Sequence, residues 1–130
     1  MKEFMLLIRN TGDSKAVLNS EKHLEFVQQC EAYIEDLKKQ GRLIAAQPLL
    51  REGVILSSTK EGWKEIPFDK EAEHQVGYYH ILAKDLHEAI NIARDNPEFE
   101  YVPGAKIEVR PIKFKEVQTE FVYPAKKGSL

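Results

Sequence analysis

Apolar residues run unbroken from Phe4 to Ile8, and Arg9 closes the run. A short stretch that is apolar on both faces predicts a strand, Glu3 to Asn10, set inside a sheet with material packed on each side. Asn10 to Asn19 breaks the pattern, with Thr11-Gly12-Asp13-Ser14 as turn chemistry. From Ser20, read as an N-cap, apolar residues recur at Phe26, Val27, Cys30, Tyr33, Ile34 and Leu37. Those i, i+3 and i+4 steps predict an amphipathic helix, with Lys38 and Lys39 near the negative end of its dipole and Gly41 as its stop. Arg42 to Pro48 reads as a second strand. Val54–Ser57 and Trp63–Ile66 flank a polar 58–62 segment and predict a hairpin that Pro67 ends. Gln75 to Ala83 is rich in β-branched and aromatic residues and predicts a central strand. Asp85, with Glu88 three residues on, predicts the capped start of a second helix, whose buried stripe is Leu86, Ala89, Ile90 and Ala93. Asn96-Pro97 stops it. Beyond the Pro103-Gly104 turn, Lys106 to Ile112 alternates strictly, as a strand with one buried face does.

Strand, helix, strand, hairpin, strand, helix, strand is an α+β order. It predicts a ferredoxin-like split βαβ subunit with an extra hairpin, both helices on one side, and the 75–83 strand next to the first. Parity then divides each strand. Phe4, Leu6 and Ile8 fall with Gly77, Tyr79, Ile81, Ala83, Ile107 and Val109 under the helices. Met5, Leu7 and Arg9 fall on the other face with Val76, Tyr78, His80, Leu82, Glu108 and Arg110. That face is too apolar for water and too polar for a dry core. The simplest cover is a second copy of the chain, which would leave a partly polar cavity between two sheets. Residues 113–130 remain as a C-terminal arm. Phe114, Val117, Phe121, Val122 and Tyr123 suit packing on the body or on a partner, and Lys126 to Leu130 reads as frayed.

Composition narrows the class. At 130 residues, 42% hydrophobic and 31% charged, the chain suits one soluble domain spanning 1–130. Lysine plus arginine is 19 against 21 acids, a net charge of −2 that argues against a nucleic-acid partner. The lone Cys30 forms no internal disulfide and fits a reducing cytoplasm. The five-residue apolar run is too short for a signal core or a membrane span. No HExxH, CxxC, phosphate loop or dinucleotide fingerprint occurs, so no metal and no cofactor is expected.

Gly77-Tyr78-Tyr79, Ala83-Lys84-Asp85-Leu86, Glu88-Ala89-Ile90 and Ile107-Glu108-Val109-Arg110-Pro111-Ile112 together resemble the YCII-related, DGPF-type family. Phe4 to Ile8 and Gly41-Arg42-Leu43 fit as well, so the resemblance covers about residues 3–112. It implies a dimeric α+β barrel, in which ferredoxin-like subunits pair their sheets face to face. The chain departs from the family where Glu65-Ile66-Pro67-Phe68 stands in place of Asp-Gly-Pro-Phe. Smaller members carry a histidine early in helix one and an aspartate two residues before its closing glycine, proposed as a catalytic pair. His23 stands for the histidine; Lys39 holds the aspartate's place, and Asp36 is the nearest acid.

His80, central on its strand, reads either as a general base near neutral pH or as a histidine bonded across the dimer interface. His23 reads as a second catalytic candidate or as a packing residue on the helix stripe. Arg9 and Arg110, with Tyr78 and Glu108, would hold an anionic substrate, or else form an arginine–glutamate network with Glu108. Cys30 reads as core. The function expected is cofactor-free isomerase or lyase chemistry on a small anionic or aromatic compound, in a homodimer. The alternative is a noncatalytic ligand-binding or regulatory module. A homodimer partner and a small anionic ligand are expected; a membrane is not.

Overall fold

The structure, a computed structural model, describes residues 1–12 and 18–124. Asp13 and Ser14 of the expected turn, and the 126–130 tail read as frayed, lie outside the described residues. The elements are β1 (Lys2–Thr11), α1 (Ser20–Lys39), β2 (Leu43–Pro48), β3 (Val54–Thr59), β4 (Gly62–Pro67), β5 (Glu73–Ala83), α2 (Leu86–Arg94), α3 (Glu98–Tyr101) and β6 (Lys106–Pro111).

Four strands form one antiparallel sheet in the order β2-β5-β1-β6. β1 and β2 are therefore parallel with β5 between them, and β5 and β6 are parallel with β1 between them. This is the split βαβ, ferredoxin-like plan read from the element order. Both helices cover the same face. Phe4, Leu6 and Ile8 of β1 and Tyr79, Ile81 and Ala83 of β5 form one core with Leu37 of α1 and Ala89 and Ala93 of α2. Tyr33 ties the helices together: its hydroxyl donates to the Ile92 carbonyl at 2.6 Å, and its ring meets Tyr79 edge-on.

The helix ends follow local chemistry with one correction. Asn19, not Ser20, caps α1: its side chain accepts from the Lys22 N–H at 2.8 Å, and Ser20 is already helical. At the other end Arg42 N–H reaches the Leu37 carbonyl and Gly41 N–H the Lys38 carbonyl, with Gly41 at φ +71°. That is a Schellman closure, which needs a left-handed residue at Gly41. Asp85 caps α2 by accepting from Glu88 N–H, while the Glu88 carboxylate takes the Lys84 N–H and the Arg42 guanidinium. After Asn96-Pro97 the chain makes one more helical turn, α3, which the stop signal did not foretell.

A second correction concerns the faces. The β1–β5 register shifts between Ile8 and Arg9: Ile8 faces Gly77, but Arg9 faces Gln75. Val76 is the extra residue of a bulge, and it packs against the core on the helical side instead of joining the open face. Beyond it the parity inverts, and His74 comes to lie buried opposite Asn10.

Candidate functional site

The open face of the sheet carries Glu3, Met5, Leu7 and Arg9 of β1, Tyr78, His80 and Leu82 of β5, and Lys106, Glu108 and Arg110 of β6. His80 sits opposite Met5, which also faces Arg110, so these three form one row across the sheet. The His80 Nε2 lies 2.8 Å from Glu3 Oε1. The imidazole is 18% exposed and the Glu3 side chain 7%. A carboxylate so placed fixes the ring with Nε2 as the donor and leaves Nδ1 as the atom able to take a proton.

The residues after β6 make the roof. Ile112 N–H bonds the Glu3 carbonyl, carrying the chain alongside β1. The segment then folds back on itself: Lys115 bridges Val122, and Tyr123 N–H donates to the Phe114 carbonyl. Glu120, at φ +62°, makes the reversal. Together Glu3, His80, Ile112, Lys113, Phe114 and Tyr123 line a cavity of about 370 Å³. Its mixed walls suit a small molecule that is partly polar.

The other expected site residues lie elsewhere. Arg9 shares the open face, but it is four residues along β1 from Met5, ~13 Å at strand rise. Its NH1 donates to Glu108 at 3.2 Å, and its Nε lies 3.4 Å from Glu73. Arg110 Nε is 3.7 Å from the same Glu108. Neither arginine lines the cavity at His80, and Glu108 lies between them. Tyr78 is on the open face by register and also contributes to a cavity on the helical side. His23 sits in the first turn of α1, its ring 6.4 Å from that of buried Phe26, on the other side of the sheet from His80. Asp36 is 13 residues from His23 on the same helix, ~19 Å along the axis, and accepts from Gln40. The structure thus leaves His23 and Asp36 unpaired with each other.

Two features escaped the sequence reading. Glu3, the partner of His80, is 77 residues away in the chain. The parity of β1 does place it on the open face, which was the available signal. The second is a polar cluster at the far end of β1. Asn10 Nδ2 donates to Glu98 at 3.0 Å, and Arg51 NH1 bonds His74 Nε2 at 2.8 Å and the Gly12 carbonyl. Burial pushes the Glu98 carboxyl up, against the pull of Asn10 and Arg51. Burial also pushes the thiol of Cys30, half-buried on α1 at the wall of the helical-side cavity, up to about 12.

No described helix is long and apolar enough to cross a membrane. Among the described residues no three His, Cys, Asp or Glu side chains group as metal ligands. Comparison with curated proteins returned no match. The profile of the YCII-related domain matches residues 2–115, from the first residue of β1 to the start of the roofing segment. That span takes in the whole sheet, both main helices and the Glu3–His80 pair, and the chain belongs to the YCII-related family.

Proposed function

We propose that the chain is a homodimer closed sheet to sheet, and that its activity is cofactor-free proton transfer on a small anionic or aromatic compound bound beside His80. The carrying observation is the 2.8 Å Glu3–His80 contact in the wall of a 370 Å³ cavity. His80 removes a proton from a carbon next to a carbonyl and returns it elsewhere, the isomerase or lyase type of step. Glu3 stabilises the imidazolium formed in between. Arg110, in the same row, lies two strands away, ~10 Å, where it can draw an acid group toward the cavity.

The dimer is supported by what a single chain leaves uncovered. Met5, Leu7, Tyr78 and Leu82 stay half-buried on the open face. β3 and β4 form a separate two-stranded sheet with Val54, Ile55, Leu56 and Trp63 exposed, Trp63 at 74%. A lone hairpin of that kind is marginal in water and gains stability from a surface to lie on.

A second reading, a noncatalytic ligand-binding or regulatory module, is favoured by one observation. Glu108 already partners both Arg9 and Arg110, which leaves less grip for an acid substrate. Exchange of the methylene deuterons of phenylpyruvate into water separates the two. Catalysis predicts exchange accelerated by the protein and abolished in His80→Ala, with phenylpyruvate still bound. Binding without any acceleration would replace catalysis with the noncatalytic module.

A further inference from the structure

A second cavity, about 240 Å³, opens on the helical side between α1 and the β2–β5 edge. Protein interiors hold few voids larger than a water, and ~150 Å³ already admits a benzene ring. Its wall is mostly apolar, built by Ile8, Phe26, Ile34 and Val76. Val76 reaches it because of the bulge in β5. Two carboxyl groups, Glu31 and Glu98, interrupt the wall, and no described lysine, arginine or histidine lines it.

Glu98 has the Asn10 amide and the Arg51 charge as favourable neighbours, yet burial outweighs both. Asn10 Nδ2 donates to Glu98 Oε2 at 3.0 Å, and the Asn10 Oδ1 behind it is buried with no partner among the described residues. Asn10 itself is 3% exposed. Burial holds the carboxyl above its ordinary range. A carboxylate drawn out of water gains most from a ligand that brings an opposite charge with its own N–H donors. An acid ligand would meet two like charges.

We propose that this cavity binds a small hydrophobic amine, its apolar body against Phe26, Ile34 and Val76 and its ammonium on Glu98. The site lies across the sheet from the Glu3–His80 cavity, so it stands independently of proton transfer there.

Calorimetric titration with 2-phenylethylamine tests it, with 2-phenylethanol and phenylacetate as controls of the same shape. The amine binds saturably, the alcohol about tenfold more weakly, as loss of one charge-assisted hydrogen bond implies, and phenylacetate not at all. Glu98→Gln weakens the amine about tenfold and leaves the alcohol within about twofold. Val27→Trp fills the mouth, where Val27 is 38% exposed and room exists outward, and it blocks both. Near-UV circular dichroism checks that each variant is folded, and Ala46→Leu replaces Val27→Trp if that variant is not. Failure of the amine to saturate by about 10 mM, the weak end of specific binding, overturns the proposal. So does equal affinity for phenylacetate, or indifference of the amine to Glu98→Gln.

Discussion

At the scale of the residue, the chemistry of this chain is set by which acid stands beside which base. His80 has Glu3 at 2.8 Å, whereas Arg9 has Glu73 and Glu108 as partners and Arg110 has Glu108. Two outcomes follow for single side chains. Cys30, with its thiol pushed up to about 12, resists alkylation by iodoacetamide at pH 8 in the native protein and reacts promptly in guanidinium. Rapid native labelling would show that the thiol is not held neutral. Glu98 has its native pKa raised above 4.5 by burial, so between 4.5 and that raised value the native state binds more protons than the unfolded one. Stability therefore falls as pH rises through that window. Asn10 and Arg51 oppose the shift without reversing it. Denaturant melts of Glu98→Gln across the same range should lose this contribution. Parallel pH profiles for the two proteins would contradict the assignment.

Elements differ in how far they could be read from the pattern of residues, and the reasons are physical. β1, β5 and β6 alternate, or run apolar, over enough residues that face and order follow from parity. Phe4, Leu6, Ile8, Tyr79, Ile81 and Ala83 are all in the core as expected. Gly77, a glycine inside a strand, is the one local sign of the bulge, but a valine suits either face, so the side that Val76 takes shows only in the register with β1. The single turn of α3 follows a proline that is a legitimate helix stop and an equally good helix start. Glu3 carries no local sign that its partner is His80, since that pairing exists only once β1 lies beside β5. The cap of α1 is Asn19 and not the expected Ser20, two neighbours that both have the oxygen a cap needs. Asn19→Ala should cost about 1 kcal/mol in urea unfolding, whereas Ser20→Ala should cost a few tenths. Equal losses would return the cap to Ser20. The roofing segment is the least legible element, as its aromatic residues announce burial without saying against what. In the single chain Phe114, Phe121 and Val122 remain more than half exposed. Removing residues 113–130 is expected to lower the melting temperature or the dimer affinity and to open the Glu3–His80 cavity to solvent. A truncated protein unchanged in both would show the segment to be dispensable.

At the scale of the whole molecule, one sheet serves two sides. The helical side is an apolar core with an open cavity at one end. The open side carries the Glu3–His80 pair, its roof, and four half-buried apolar residues that water covers poorly. A stable dimer buries at least about 1,000 Å² in all, and the open face with the β3–β4 hairpin offers apolar surface for it. Closing two such faces would shield the Glu3–His80 pair and strengthen its electrostatics by excluding water. Sedimentation equilibrium at micromolar concentration, on the native chain and on Leu82→Arg, tests this directly. The account predicts a dimer that Leu82→Arg dissociates into folded monomers. A monomeric native protein, or a dimer indifferent to an arginine in the middle of the open face, would contradict it.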